Sequence, residues 1–206
     1  MLRYLIIGIT YAFAAAAQPG SFQTYIISQS LSRGWRRTLP AALAPLISDV
    51  PTVLIVLLVL TRLPGWLVQV LQLVGGAFLL YLAASAYKSW HEFENRAPVP
   101  EQSSQQTVLK AAMVNLLNPN PYLAWSLVLG PLLLKGWQAA PINGVAMLVG
   151  FYGVMIICQG GIILLFGAAR TLGPMVNRVM LGISAIALGC FGIYELWSGF
   201  RILYAK

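Results

Sequence analysis

The stretch Asn115-Leu116-Leu117-Asn118-Pro119-Asn120-Pro121 interrupts an apolar run near the middle of the chain, and Gln18-Pro19-Gly20 does the same near its start. Proline carries no N–H and clashes with the preceding turn, so neither run continues as an unbroken helix. Both runs are otherwise apolar enough to enter a bilayer. A break at membrane depth strands amides and carbonyls that lipid cannot satisfy, so it survives only where it lines a protein-walled or watery cavity. Two such breaks at corresponding places in two halves are the mark of a transporter whose substrate site lies between them.

Composition agrees. Of 206 residues, 59% are hydrophobic and only 9% charged, against about 25% charged in soluble domains; the mean hydropathy is +0.77. The acidic residues are Asp49, Glu92, Glu94, Glu101 and Glu195, and the net charge is +8. The excess of positive charge sits between apolar runs, which fits retained loops rather than a nucleic-acid partner. Cys158 and Cys190 lie within apolar runs without a Cys-x-x-Cys spacing and read as buried structural thiols. His91, the one histidine, falls in a charged connection, so a histidine-based metal site is excluded, and no metal or other cofactor is expected. Arg3, the apolar run and Ala14 to Ala17 imitate a signal peptide, but this segment has a counterpart in the second half and reads as a span.

Hydropathy gives six spans, each needing roughly 20 apolar residues. They are Leu2 to Leu31 with the first break, about Leu39 to Leu60, Trp66 to Tyr87, Val108 to Leu134 with the second break, about Ile142 to Phe166, and about Met175 to Phe200. The fold class is therefore an all-α membrane protein. Residues 1–90 form a first three-helix repeat, 91–107 a polar connection and 108–206 a second repeat. Pro19 followed by Arg33-Gly34-Trp35 parallels Pro119 followed by Lys135-Gly136-Trp137. Aligning Gly75 with Gly182 brings Tyr87-Lys88-Ser89-Trp90 onto Tyr194-Glu195-Leu196-Trp197. An odd number of spans per repeat inverts the second copy. Arg33, Arg36, Arg37, Lys88, Arg96, Lys110, Arg170 and Arg178 share one side, the expected cytoplasmic one.

Asp49, in Pro45-Leu46-Ile47-Ser48-Asp49-Val50-Pro51, is the sharpest candidate. A carboxylate at this depth costs at least ~2.5–3.5 kcal/mol, so it faces the interior and reads as a proton-coupling group. The structural alternative is a carboxyl that serves backbone freed by Pro45 and Pro51. Gln18, Pro19 and Gly20 are substrate-binding candidates. The helix starting near Ser21 would present free N–H groups and a positive dipole end to an anionic group. Asn115 and Asn118 share a helix face and, with Pro119 and Asn120, complete the set; their amides donate and accept, which suits a zwitterion. Helix-to-helix glue is the alternative for them. Tyr81, Trp125, Tyr152 and Gln159 read as packing, Trp66, Trp90, Trp137 and Trp197 as interface anchors, and Glu195 as interfacial. Gly75-Gly76, Gly150-x-x-Gly153 and Gly160-Gly161 read as close helix contacts. No catalytic constellation is visible, so an enzyme is not expected.

Gln18-Pro19-Gly20, Ser30-Leu31-Ser32-Arg33-Gly34, Asp49, Gly75-Gly76-Ala77-Phe78-Leu79-Leu80-Tyr81-Leu82 and Asn115-Leu116-Leu117-Asn118-Pro119 together resemble the lysine-exporter (LysE/RhtB) family over nearly the whole chain. The resemblance implies proton-coupled export of a small amino acid or similar zwitterion across the bacterial inner membrane. Its implied partners are substrate, protons and the lipid bilayer, with a homodimer left open. Two departures fall in the binding region: Ser21 stands where the family commonly has a second proline, and Asn120-Pro121 where it commonly has a lysine. The membrane thiol-disulfide carriers share the plan but need a cysteine at each break, where Gln18 and Asn118 stand, and cadmium export would favour thiolate or imidazole ligands that the breaks lack. A non-transporting assembly or lipid-interaction protein, or an exporter of another solute or metal ion, are the rival readings.

Overall fold

Proline and glycine decide where this apolar chain is cut into helices. The structure, a computed structural model, describes residues 1–17, 20–59, 65–91, 103–169 and 174–204. Among them the elements are α1 (Leu2–Ala17), α2 (Ser21–Arg33), α3 (Trp35–Thr38), a 3₁₀ turn (Leu39–Leu43), α4 (Ala44–Val59), α5 (Gly65–His91), α6 (Ser104–Leu117), α7 (Pro119–Ala124), a π turn (Trp125–Leu129), α8 (Gly130–Ala139), α9 (Pro141–Ala169) and α10 (Pro174–Tyr204). Gln18 and Pro19 lie outside the described residues. The polar connection is shorter than the sequence suggests: α5 runs through His91, and Ser103 with Gln106 forms a reciprocal capping box that starts α6 inside it.

Stretches of α5 (Gln69–Lys88) and α10 (Arg178–Arg201) and the whole of α9 are long and apolar enough to cross a bilayer. The pair α1 and α2, whose axes diverge by 65°, adds a fourth crossing if it is one span. The expected second and fourth spans are not single helices. The described part of α4 has 16 residues. It follows a 3₁₀ turn that contains Pro40 and carries Pro51 in its interior. The fourth is divided at Asn118 and again at the π turn.

The packing is inside-out relative to a soluble domain. Ile157, Leu165 and Ile186 are exposed, whereas Ser30, Ser48, Asp49, Thr52, Thr107, Asn115 and Gln159 are buried. Cys158 is half-buried and Cys190 exposed, not buried as expected; in a lipid-facing surface an apolar neighbourhood does not mean a core position. Helices α5 and α10 pack antiparallel, with Gly76 beside Gly192 and Leu196, and Gly182 against Trp90. Helices α1 and α9 pack along their length, and Gly8 meets the backbone of Met147 and Phe151. Ser30 Oγ donates to the Ile163 carbonyl at 2.6 Å, tying α2 to α9.

The glycine motifs divide. A Cβ on Gly150 would lie 2.6 Å from the Leu5 carbonyl oxygen, and one on Gly76 would lie 2.8 Å from the Gly192 oxygen. Gly153 and Gly161 meet nothing within 4 Å, and Gly160 makes only an ordinary contact at 3.8 Å. Gly150→Ala is therefore expected to destabilise the protein by about 1–3 kcal/mol, the range for overpacking. Gly153→Ala should leave stability unchanged or raise it slightly by removing an interior helical glycine. Thermal unfolding of both variants in lipid nanodiscs measures the contrast.

Candidate functional site: a cavity between two helix breaks

The second break is built by what its prolines lack. In a continuous helix the Asn115 carbonyl would accept from residue 119, but Pro119 has no N–H. Asn118 turns to φ −79° and ψ 125°, and its own N–H donates to the Asn115 carbonyl at 3.2 Å. Its side-chain Oδ1 then accepts from the Asn120 N–H at 3.0 Å and caps α7. At the first break, Gly20 is extended and its carbonyl accepts from the Thr24 N–H at 3.0 Å and the Thr24 hydroxyl at 2.9 Å. Gln23 Nε2 reaches back to donate to the Ala15 carbonyl at 3.3 Å, satisfying an acceptor at the end of α1.

These two ends face one cavity of about 150 Å³. Gly20 and Gln23 come from the first break, Asn118, Asn120 and Pro121 from the second, Asp49 from α4, Asn115 from α6 and Gln159 from α9. Trp125 and Leu129 enter from the π turn, a local widening of the helix that often marks functional sites. Phe151 and Met155 complete an apolar wall, and Phe151 meets Trp125 edge-on with ring centroids 5.6 Å apart. Among the described residues no lysine or arginine lines this cavity.

Asp49 is 4% exposed. Asn115 spends both amide protons on its surroundings: Nδ2 donates to Asp49 Oδ1 at 2.9 Å and to Ser48 Oγ at 2.7 Å. Ser48 passes its own proton to the Ala44 carbonyl at 3.1 Å. Tyr152 donates to Asp49 Oδ2 at 3.3 Å, a long bond. The partners of the carboxyl are side chains on α6, α9 and, through Trp125, the π turn, not the backbone freed by Pro45 and Pro51. A carboxylate offers about four acceptor positions, so beside these three partners Asp49 retains capacity for a proton or a substrate ammonium group. Its other side borders an apolar groove lined by Val50, Leu54, Leu133, Trp137 and Tyr152.

Of the sequence candidates, Gly20, Asp49, Asn115, Asn118 and Asn120 meet at this cavity. Pro119 is buried beside it and makes the break without lining the space. Gln18 and Pro19 are outside the described residues. Three residues read as packing belong to the site: Trp125 and Gln159, each 1% exposed, line it, and Tyr152 holds Asp49. Tyr81 does not; it is exposed on α5, with the Lys110 ammonium 5.5 Å above its ring. Gln23 escaped the sequence reading, although its position three residues past Gly20, on the first turn of a new helix, was a usable signal.

The family model for LysE type translocators matches residues 13–199, from within α1 almost to the end of α10. No curated protein and no solved structure matched the chain in comparison.

Asn115→Ala removes the shortest bond to the Asp49 carboxyl and leaves a buried acceptor unsatisfied. The expected loss is about 1–3 kcal/mol of stability. Tyr152→Phe, which removes only the 3.3 Å bond, should cost less than about 1 kcal/mol. Parallel melting curves of the two purified variants give the order.

Proposed function

The chain belongs to the LysE type translocator family, an integral membrane family of transporters rather than enzymes, and from that premise we propose that it exports a small amino acid or similar zwitterion in exchange for protons. The observation that carries this reading is the placement of one buried carboxyl, Asp49, without a cationic partner among the described residues, on a cavity framed by amide side chains at two helix breaks. The substrate ammonium group would meet Asp49. Its carboxylate would meet the N-terminal end of α2 around Gly20 and Gln23, where the first amides of the helix have no intrahelical acceptor. Asn118, Asn120 and Gln159 supply donors and acceptors with no fixed charge, which lets the site bind a molecule whose own charges cancel. Trp125, Phe151 and Met155 form an apolar wall suited to a small uncharged side chain.

The wider architecture we propose is two inverted repeats, residues 1–90 and 108–206, making six spans in the bacterial inner membrane with the connection cytoplasmic. Two features support it: the antiparallel pairing of α5 with α10, the third helix of each half, and the convergence of both breaks on one cavity.

Export is then an exchange at Asp49. A proton arriving from outside neutralises the carboxylate and releases the substrate ammonium outward; loss of that proton inward restores the binding form. Asp49→Asn keeps the shape and a hydrogen-bonding capacity but cannot exchange a proton. In proteoliposomes loaded with a panel of amino acids, the wild type should show efflux that rises with an imposed pH gradient. The Asp49→Asn variant should melt within a few degrees of wild type yet lose the response to the gradient. A variant that still responds like wild type would remove Asp49 from the coupling step.

A further inference from the structure

Glu195 is an inward-turned ionisable group that the proposed exchange leaves unused. Glu195 on α10 is half-buried, and its Oε2 is buried without any hydrogen-bond partner. Glu195 also lines a second, much smaller cavity of about 10 Å³, with Ser21, Asn118, Leu117, Gly75 and Phe78 among its other walls. That is roughly the space of a single water, for which about 10–15 Å³ is needed. Asn118 lines both this cavity and the large one, so the broken segment is the wall between Asp49 and Glu195.

The chemistry of the small cavity is unbalanced. Pro121 has no N–H to offer the Leu117 carbonyl, so that oxygen loses the donor a continuous helix would provide. It lies 2.7 Å from the place where a Gly75 Cβ would stand, which turns it towards α5 and the cavity that Gly75 helps to line. Glu195 lines this space beside Ser21 and Asn118, yet its Oε2 accepts no hydrogen bond. The titratable groups on the packed elements are Tyr81, Tyr87, Lys88 and His91 of α5, Tyr25 and Arg33 of α2, Lys110 of α6, and Arg178, Tyr194 and Arg201 of α10, and none of these lines the cavity. A charged carboxylate oxygen buried without a donor is costly, and protonation removes that charge.

We propose that Glu195 is a second proton-binding carboxyl of the transporter, protonated when the Asn118 break is packed as in this structure and linked through Asn118 to occupation of the central cavity. Repacking of the break around substrate would open the small cavity to water and let the proton leave. The linkage rests on the exporter reading; the protonation of Glu195 does not.

Infrared spectra of the purified protein in nanodiscs, titrated over pH, separate the two. The wild type should show a carboxylic acid carbonyl component that persists in Asp49→Asn and is missing from Glu195→Gln, where only the Asp49 component remains. In proteoliposomes without a pH gradient, Glu195→Gln should remove the part of the pH dependence of substrate affinity that the linkage produces, while binding itself persists. Its efflux should lose one titration step from the pH profile, a change that a merely structural role would not produce. If Glu195→Gln fails to fold, Glu195→Asp takes its place and should retain a shifted component and the pH step. A spectrum unchanged by Glu195→Gln, a Glu195→Asp protein with no such component, or a component that responds to sodium in place of protons would each overturn the proposal. If the wild type carries the Glu195 component but exports no amino acid, the exporter reading fails while the protonation of Glu195 stands.

Discussion

A helix broken inside an apolar layer has to dispose of the donors and acceptors it frees, because hydrocarbon takes none of them. In this protein that requirement shapes the whole interior. Asn118 answers it at the second break by bonding backward with its backbone and forward with its side chain. Gln23 answers it at the first by reaching across to the Ala15 carbonyl. Each solution uses a polar side chain that lipid would reject. Those side chains must therefore face each other, and the space they face becomes polar. The cavity follows from satisfying the breaks, not from a separate design.

Once such a space exists, a carboxyl can be kept beside it. Asp49 would be costly on a lipid-facing surface. Here it has a donor from Asn115, a weaker one from Tyr152 and a further side-chain partner in Trp125, and among the described residues no lysine or arginine lines its cavity. A lysine or arginine partner would hold it permanently charged and spend its capacity on structure. Uncharged donors hold its position and leave its charge variable. The same logic makes Ser48 more than a filler: by accepting from Asn115 and donating to Ala44, it fixes the amide that aims at the carboxyl.

What the sequence made legible follows from which signals survive in an apolar chain. Asp49, Asn115 and Asn118 stood out because a polar group in a membrane-length run needs a reason. Gln23 did not, because next to Pro19-Gly20 it reads as part of a turn. Trp125 and Gln159 were hidden for the opposite reason: aromatics and lone amides are common in membrane helices as packing and glue, and only the π turn and the convergence of α9 on the break give them a common cavity. Hydropathy sees apolar length and not local geometry: it did not show the 3₁₀ turn at Pro40 ahead of α4, or the π turn that follows the expected break at Asn118. The glycine pairs show the same limit. Gly76 and Gly150 seat neighbouring backbones while Gly153 and Gly161 face open space, and sequence spacing alone does not say which side of a helix has a neighbour.

The division of labour among the helices has a mechanical consequence. Where α5 meets α10 and α1 meets α9, glycines bring backbone against backbone, and sliding either pair would drive atoms into close-packed surfaces. The elements that carry the site are of a different kind. Helices α2, α4, α6 and α7 are shorter; α6 and α7 are capped by side chains, α4 carries Pro51 and α7 runs into the π turn, so they hold fewer intrahelical bonds that a change of shape would have to break. A structure with rigid pairs beside interrupted helices confines rearrangement to the interruptions. Asn118 sits at the centre of that arrangement: it ends one helix, begins the next, and walls two cavities that each hold a carboxyl. Because Asn118 lines both spaces, a rotation at this residue would alter the surroundings of Asp49 and Glu195 together.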